Sequence, residues 1–408
     1  MPAESQRRHA NHRLLPAFDE QDEIFSSAFS VLEEGIIQRT FPAASIAVTL
    51  KDELLALKSF GTFVYEANPD VHKANPEGAP LLARFARSGS FEALSPATLF
   101  DVASLTKPVA TTTMAAVLYE RGLLELDSPI IGTLPEFRSA RDTRRAQITS
   151  RMLLTHSSGL PAYEKLFLKA HARDELLQSA LQTPLTADPG TRTEYSDLGF
   201  IILGLALERL SQEALDVFCQ REVFGPLAMT NTTFNPSKTI RTTIPPTADE
   251  REEAVDASKP RSTFRNRVIQ GEVQDENAWV LGGVAGHAGL FSTAEDLAQF
   301  AYAMLQGGAP ILRPETLALF TRRESTPAGT SRALGWDTPS NPSQSGKYFG
   351  PNSYGHLGYT GTSLWIDPDR QLSITLLTNR TWPDCSNQAI KQVRPKFHDA
   401  IIEALIHV

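Results

Sequence analysis

Ser104 and Lys107 stand three residues apart in the run Ser104-Leu105-Thr106-Lys107, and no other lysine in the chain has a serine three positions before it. On a helical turn, residues at this spacing share a face, so the amine can reach the hydroxyl. A serine hydroxyl attacks a carbonyl once a neighbouring base takes its proton, and an amine serves as that base when burial or positive surroundings lower its pKa. A helix N-terminus supplies such a field. Pro108 sets the place, because a proline deeper in a helix loses an amide bond and clashes with the carbonyl four residues back. The spacing therefore predicts a helix that begins near Ser104.

Two further runs carry groups that suit the same chemistry. Tyr195-Ser196-Asp197 follows the turn Asp188-Pro189-Gly190 and precedes the apolar stretch Leu198 to Leu210, and no other tyrosine has Asn or Asp two residues later. A tyrosine oxygen at a helix entry can shuttle a proton between Ser104, Lys107 and a leaving group, a step worth about 10²–10⁴ in rate. Ser196 or Asp197 can also cap that helix. The run His356-Leu357-Gly358-Tyr359-Thr360-Gly361-Thr362 enters a β-rich segment, and its glycines let a backbone edge approach a ligand. An amide there, paired with that of Ser104, would form an oxyanion hole, where one donor is worth about 2.7–4 kcal/mol.

The surrounding patterns indicate what must hold these runs. Asp19 to Ile37 carries apolar residues at helical spacing, and Ser45 to Leu50 with Leu54 to Phe60 reads as a hairpin across Lys51-Asp52-Glu53. Glu66 to Ser95 is rich in Pro, Gly and Asn and reads as a surface excursion. Helical patterns follow at Val109 to Glu120, Thr149 to Leu154, Asp174 to Leu181 and Leu198 to Leu210, then a long loop from Thr232 to Lys259. Ser292-Thr293-Ala294-Glu295 has capping-box spacing. After a loop from Thr326 to Tyr354, Thr362 to Ile366 and Gln371 to Thr378 form a second hairpin, and Pro395 to Val408 closes as a helix. The fold class is α+β: an antiparallel sheet flanked by helices, with an inserted helical domain. The expected organisation is a disordered segment 1–18, a discontinuous sheet domain of 19–108 and 285–408, and a mainly helical insertion 109–284 with a long loop at about 232–265.

Composition narrows the function classes. The formal net charge is −8 and the basic residues form no long run, so nucleic acid is not an expected partner. The stretch Phe200 to Leu207 is too short to cross a bilayer, which needs about 20 residues. Met1 to Arg13 is polar and precedes no apolar signal core, which reads as cytoplasmic, or as periplasmic or secreted where a native leader has been removed. Cys219 and Cys385 fit one bridge or two separate thiols. No cofactor or metal is expected.

In order, Ser-x-x-Lys, Tyr-x-Asp and His-x-Gly resemble the three motifs of class C β-lactamases, D-Ala-D-Ala carboxypeptidases and esterases of the same fold. The segments Leu153 to Leu160, Gly282 to Leu290 and Thr360 to Pro368 look similar too. The resemblance implies a β-lactamase/transpeptidase-like fold with Ser104 as the acylated nucleophile, Lys107 and Tyr195 as the proton-transfer pair, and the amides of Ser104 and Tyr359 as the oxyanion hole. It places Asp197, His356, Gly358 and Thr360 against the substrate, and leaves His156 and His287 as hydrogen-bonded structural residues without metal-ligand spacing. Asp197 stands where these β-lactamases have Asn, and His356 where they have Lys, which moves the expectation away from penicillin hydrolysis. The implied activity is hydrolysis of an ester or amide carbonyl in a small-molecule or peptide substrate, of the cell-wall peptide or muropeptide type. Alternatives are a small-ester esterase, a weak β-lactamase and a silent binding or self-assembling protein.

Overall fold

The computed structural model describes residues 13–65, 94–252 and 262–406, so the expected excursion at Glu66 lies almost wholly outside the described residues. Along the chain come β1 (Leu15–Pro16), α1 (Ser26–Ile37), β2 (Ala43–Leu50), β3 (Glu53–Gly61) and β4 (Phe100–Asp101). They are followed by α2 (Thr113–Glu120), α3 (Asp197–Ser211), β5 (Thr233–Phe234), α4 (Glu276–Val280), β6 (Leu290–Ser292) and α5 (Ala294–Leu305). The chain closes with β7 (Tyr354–Leu357), β8 (Ser363–Asp367), β9 (Leu372–Thr378) and α6 (Ile390–Ile406).

A six-stranded sheet in the order β1-β3-β2-β9-β8-β7 forms the centre. Both expected hairpins are present: β2 and β3 pair antiparallel around Lys51, whose φ of 56° suits the turn, and β8 and β9 pair with Asp367 opposite Leu372. Side chains alternate between the faces along each strand. On β2 the side chains of Ala44, Ile46 and Val48 join the cluster of Phe25, Phe29, Leu32, Trp365, Phe397 and Ile401 beneath α1 and α6. The other face offers smaller residues, Ala43 and Ala47, to a second core that includes α5 and α3. A small antiparallel sheet, β4-β6-β5, lies on the side of the second core and delivers the chain to Ser104.

Five expectations are corrected. Residues 13–18 are ordered, since Leu14 is buried and β1 pairs with β3 in parallel, which also makes this sheet edge an exception to the antiparallel expectation. The helix after Ser104 is irregular: a 3₁₀ turn Ala103–Leu105 and a π-helical stretch Lys107–Thr112 precede α2, so Pro108 sits in the opening turns, where it forfeits little bonding. The loop after Thr232 carries structure, because β5 pairs with β6 and Ala248–Asp249 with Val268–Ile269. The cap of α5 is Thr293, whose hydroxyl accepts from the Asp296 amide at 3.1 Å; Ser292 ends β6 and its hydroxyl meets Thr232 instead. Finally, α6 begins at Ile390, five residues before Pro395, so the proline stands inside the helix and does not open it.

Candidate active site

Ser104 lies in the 3₁₀ turn directly after β4, and Lys107 lies one turn further on, fully buried. The Lys107 ammonium donates to three oxygens: Ser104 Oγ at 2.9 Å, Asp197 Oδ1 at 2.7 Å and the His287 carbonyl at 2.9 Å. The rings of Tyr195 and Phe200 lie 4.9 and 5.6 Å from the nitrogen, so its remaining surroundings are aromatic. Burial works against the charge, but the Asp197 carboxylate and Tyr195 outweigh it and raise the Lys107 pKa. This corrects the expectation of a lowered amine pKa. The three acceptors match the three N–H bonds of an ammonium, and Lys107 rests protonated.

Tyr195 reaches the nucleophile from the other side, with its hydroxyl 2.8 Å from Ser104 Oγ and donating to it. Burial raises the phenol pKa and nearby Lys107 opposes the rise. Beneath the phenol ring lies the His156 imidazole, 4.5 Å between centroids, whose Nδ1 accepts the Ser196 amide at 3.0 Å. Burial, Arg332 and Lys107 all hold His156 well below the usual histidine pKa, so it serves as a neutral platform. Ser196 caps α3 by accepting from Gly199 at 3.1 Å, which leaves Asp197 free of capping and able to face Lys107.

The glycine-rich run at 282–290 is explained by backbone contact. A Cβ on Gly286 would lie 2.2 Å from the Phe200 carbonyl, so only glycine lets this loop press on α3. The press brings the Gly286 and His287 carbonyls to Thr111 Oγ1, at 2.7 Å, and to Lys107. The His287 ring is fixed by Asp275 at 2.9 Å, and although burial alone would raise the Asp275 carboxyl, His287 and its other partners hold it below the usual range.

His356 is buried on β7, with Nδ1 2.8 Å from the Leu357 carbonyl and Nε2 without a partner among the described residues. Burial, with Lys107 and Arg332 nearby, holds its pKa well below the ordinary value, so the ring carries no positive charge at neutral pH. Gly358 lines the cavity and is bound to Thr362, where a Cβ would meet Thr362 Oγ1 at 1.9 Å. Tyr359 is half exposed, and among the described residues neither its N–H nor that of Ser104 is bonded to a protein acceptor. Thr360 departs from expectation: it is fully buried, and its hydroxyl donates to the Asp101 carbonyl at 2.8 Å, so it braces the loop instead of facing substrate.

These groups share a cavity of about 1110 Å³, lined by Ser104, Tyr195, Asp197, His356, Gly358 and Tyr359 among others. Among the lining residues that sequence reasoning missed are Arg332, Asp101 and Asp275. Arg332 comes from a loop without periodicity. Asp101, however, interrupts the apolar run Leu99 to Ala103, and a carboxylate in such a run is itself a signal. Cys219 and Cys385 are not joined by a disulfide, and the buried Cys219 thiol faces the Ala110 carbonyl at 3.6 Å. Among the described residues no helix is long and apolar enough to cross a membrane.

A serine hydroxyl flanked by an ammonium and a phenol, with the serine's own amide and that of Tyr359 unbonded among the described residues, is arranged for acyl transfer. Known proteins point the same way. The family model described as Beta-lactamase matches residues 23–393. A protein of Bacillus subtilis (strain 168) named N-acetylmuramyl-L-alanine amidase is 32% identical over 368 residues, 85% of this chain and 79% of its own. A protein of Escherichia coli (strain K12) named putative D-alanyl-D-alanine carboxypeptidase is 33% identical over 69% of both chains. Among solved structures, EstCE1, described as a hydrolase with promiscuous acyltransferase activity, superposes with a TM-score of 0.69 at 19% identity, covering 93% of this chain and 99% of that one.

Proposed function

The chain belongs to the Beta-lactamase family and is a serine hydrolase of that fold, and from that premise we propose that it cleaves an amide in a cell-wall peptide or muropeptide through an acyl-enzyme on Ser104. In the first half-reaction Ser104 Oγ bonds to the carbonyl carbon. Its proton passes to Tyr195 Oη, Tyr195 passes its own proton to the leaving nitrogen, and the C–N bond breaks. Lys107 keeps its charge throughout and lowers the energy of negative charge on the two oxygens beside it. The carbonyl oxygen is received by the amides of Ser104 and Tyr359. Water then attacks the ester, gives its proton to Tyr195, and Tyr195 returns one to Ser104.

The observation that carries the substrate class is Arg332. Its guanidinium lines the cavity beside Tyr195, and its carboxylate partner Asp337 lies 3.8 Å away, a loose pair that leaves room for the carboxylate of a peptide. The neutral His356 and the acceptor-only Asp197 disfavour a β-lactam, and the relatives named above favour a cell-wall peptide. A panel of muropeptides, D-Ala-D-Ala peptides, p-nitrophenyl esters and nitrocefin tests the assignment. Muropeptide or D-Ala-D-Ala amides should give the highest kcat/KM, and Ser104→Ala should lose about 10⁴-fold or more. Faster turnover of p-nitrophenyl esters or nitrocefin than of every peptide would overturn it.

A further inference from the structure

Asp101 is the last residue of β4, almost fully buried, and three separate pieces of the site converge on it. Its Oδ1 accepts the Ala103 amide at 2.8 Å, its Oδ2 accepts the Gln274 amide at 2.6 Å, and its carbonyl accepts the Thr360 hydroxyl at 2.8 Å. The next carbonyl, Val102, takes the Thr362 hydroxyl at 3.0 Å. Ala103 has a φ of 49°, in the left-handed region that a residue with a Cβ adopts only under restraint. Its amide bond to the Asp101 carboxylate holds it there, and that conformation sets the direction of the next N–H, which belongs to Ser104. Thr360, in turn, directly follows Tyr359.

We propose that Asp101 is the positioning residue of the oxyanion hole, its carboxylate aiming the Ser104 amide and its carbonyl, through Thr360, fixing the Tyr359 amide opposite. This rests on the reading of those two amides given above. Both carboxylate oxygens of Asp101 are taken by backbone amides, so it acts through its neighbours. Bonds to it on both sides of the hole set the separation between the two donors, and that separation is what a tetrahedral oxyanion recognises.

The same burial makes the device sensitive to acid. Burial raises the Asp101 carboxyl to about 6; the Gln274 and Ala103 amides oppose the rise, Asp275 adds to it and Arg265 opposes it. Asp275 and Arg265 are the charged groups with the largest effect on it. As pH falls through that value the carboxylate takes a proton, loses its charge and loosens its hold on the two amides.

The test is phosphonylation by a fluorophosphonate–rhodamine probe, in which Ser104 Oγ displaces fluoride from phosphorus and the phosphoryl oxygen takes the place of the oxyanion, followed from pH 5 to 8 with thermal melts in parallel. In the wild type the maximal labelling rate should fall as pH drops through about 6. Asp101→Asn should lower that rate about 30- to 300-fold, with half-saturating probe concentration changed less than about threefold, and should abolish the acid limb. Asp101→Glu, which restores the charge on a longer arm, should recover at least about tenfold over Asp101→Asn. Wild-type labelling in Asp101→Asn, or an acid limb that survives in it, overturns the proposal. If Asp101→Asn does not melt cooperatively, Thr360→Val decides: about tenfold slower labelling supports the proposal and an unchanged rate overturns it. Labelling of Ser104→Ala equal to wild type would instead sink the assignment of the nucleophile, a separate result.

Discussion

The two faces of the central sheet are built on opposite terms. Behind it, α1 and α6 pack Phe25, Phe29, Leu32, Phe397 and Ile401 on Trp365 and Ile374, and the elements there are regular. In front, within the same depth of burial, lie Lys107, Asp101, Thr106 and Thr111, held by a 3₁₀ turn, a π-helical stretch and two left-handed residues, Ala103 and His156. Apolar burial on one face supplies stability that the other face consumes in strained backbone and buried charge. The molecule keeps its reactive groups in place because the face without chemistry is conventional.

The sharpest way to break this contrast is at the Lys107–Asp197 pair. Lys107→Met leaves Asp197 without its ammonium, and the expected result is a loss of activity of about 10³-fold or more with a destabilisation of about 3–5 kcal/mol in urea unfolding. Lys107→Met/Asp197→Leu should recover most of the stability and none of the activity. Recovery of neither would mean that the pair is not the source of the cost.

On the opposite face, Phe397→Ala opens a cavity in the apolar cluster and should cost about 3–5 kcal/mol, while kcat/KM of the folded fraction stays within about twofold of wild type. A tenfold fall in kcat/KM would show that the faces are not separable.

The smallest expected effect is in pH. Burial, with Arg394 nearby, lowers His398 to about 3, and His156 and His356 are also held below their ordinary value. In each case the unfolded chain binds the proton first, so this contribution is complete above about pH 6.5. It is lost as pH falls, by up to about 1.4 kcal/mol per pH unit for each histidine. His398→Asn, behind the sheet, should flatten the fall of melting temperature between pH 7 and 5 without altering the pH profile of kcat/KM. An altered kcat/KM profile in that variant would contradict the separation of the faces.

Legibility in the sequence follows the same division. The hairpins at 45–60 and 362–378 were readable because short β-rich, largely apolar runs bounded by polar turn residues report strands buried on both faces, and α1 was readable from its apolar spacing. In front of the sheet, Ser104, Lys107 and Tyr195 stood out because their chemistry is rare at that spacing, and they do meet within hydrogen-bonding distance. What was not legible depends on contacts across 170 residues or more: the Asp101 carboxylate on Gln274, the Thr360 hydroxyl on Asp101, the His287 carbonyl on Lys107. The raised Lys107 pKa belongs to the same class, because it is set by Asp197, ninety residues away. Pattern rules report local periodicity, and these bonds have none.

The saturation of Lys107 by a hydroxyl, a carboxylate and a carbonyl leaves it no hydrogen to offer an incoming molecule. Reactivity and selectivity thus reside in different atoms: the ammonium tunes its neighbours from inside the wall, and a guest meets only the hydroxyls, the edge amides and the lining side chains. The lining can be rewritten for a new acyl group while the reacting trio stays untouched, which makes this architecture a reusable engine with an interchangeable receptacle.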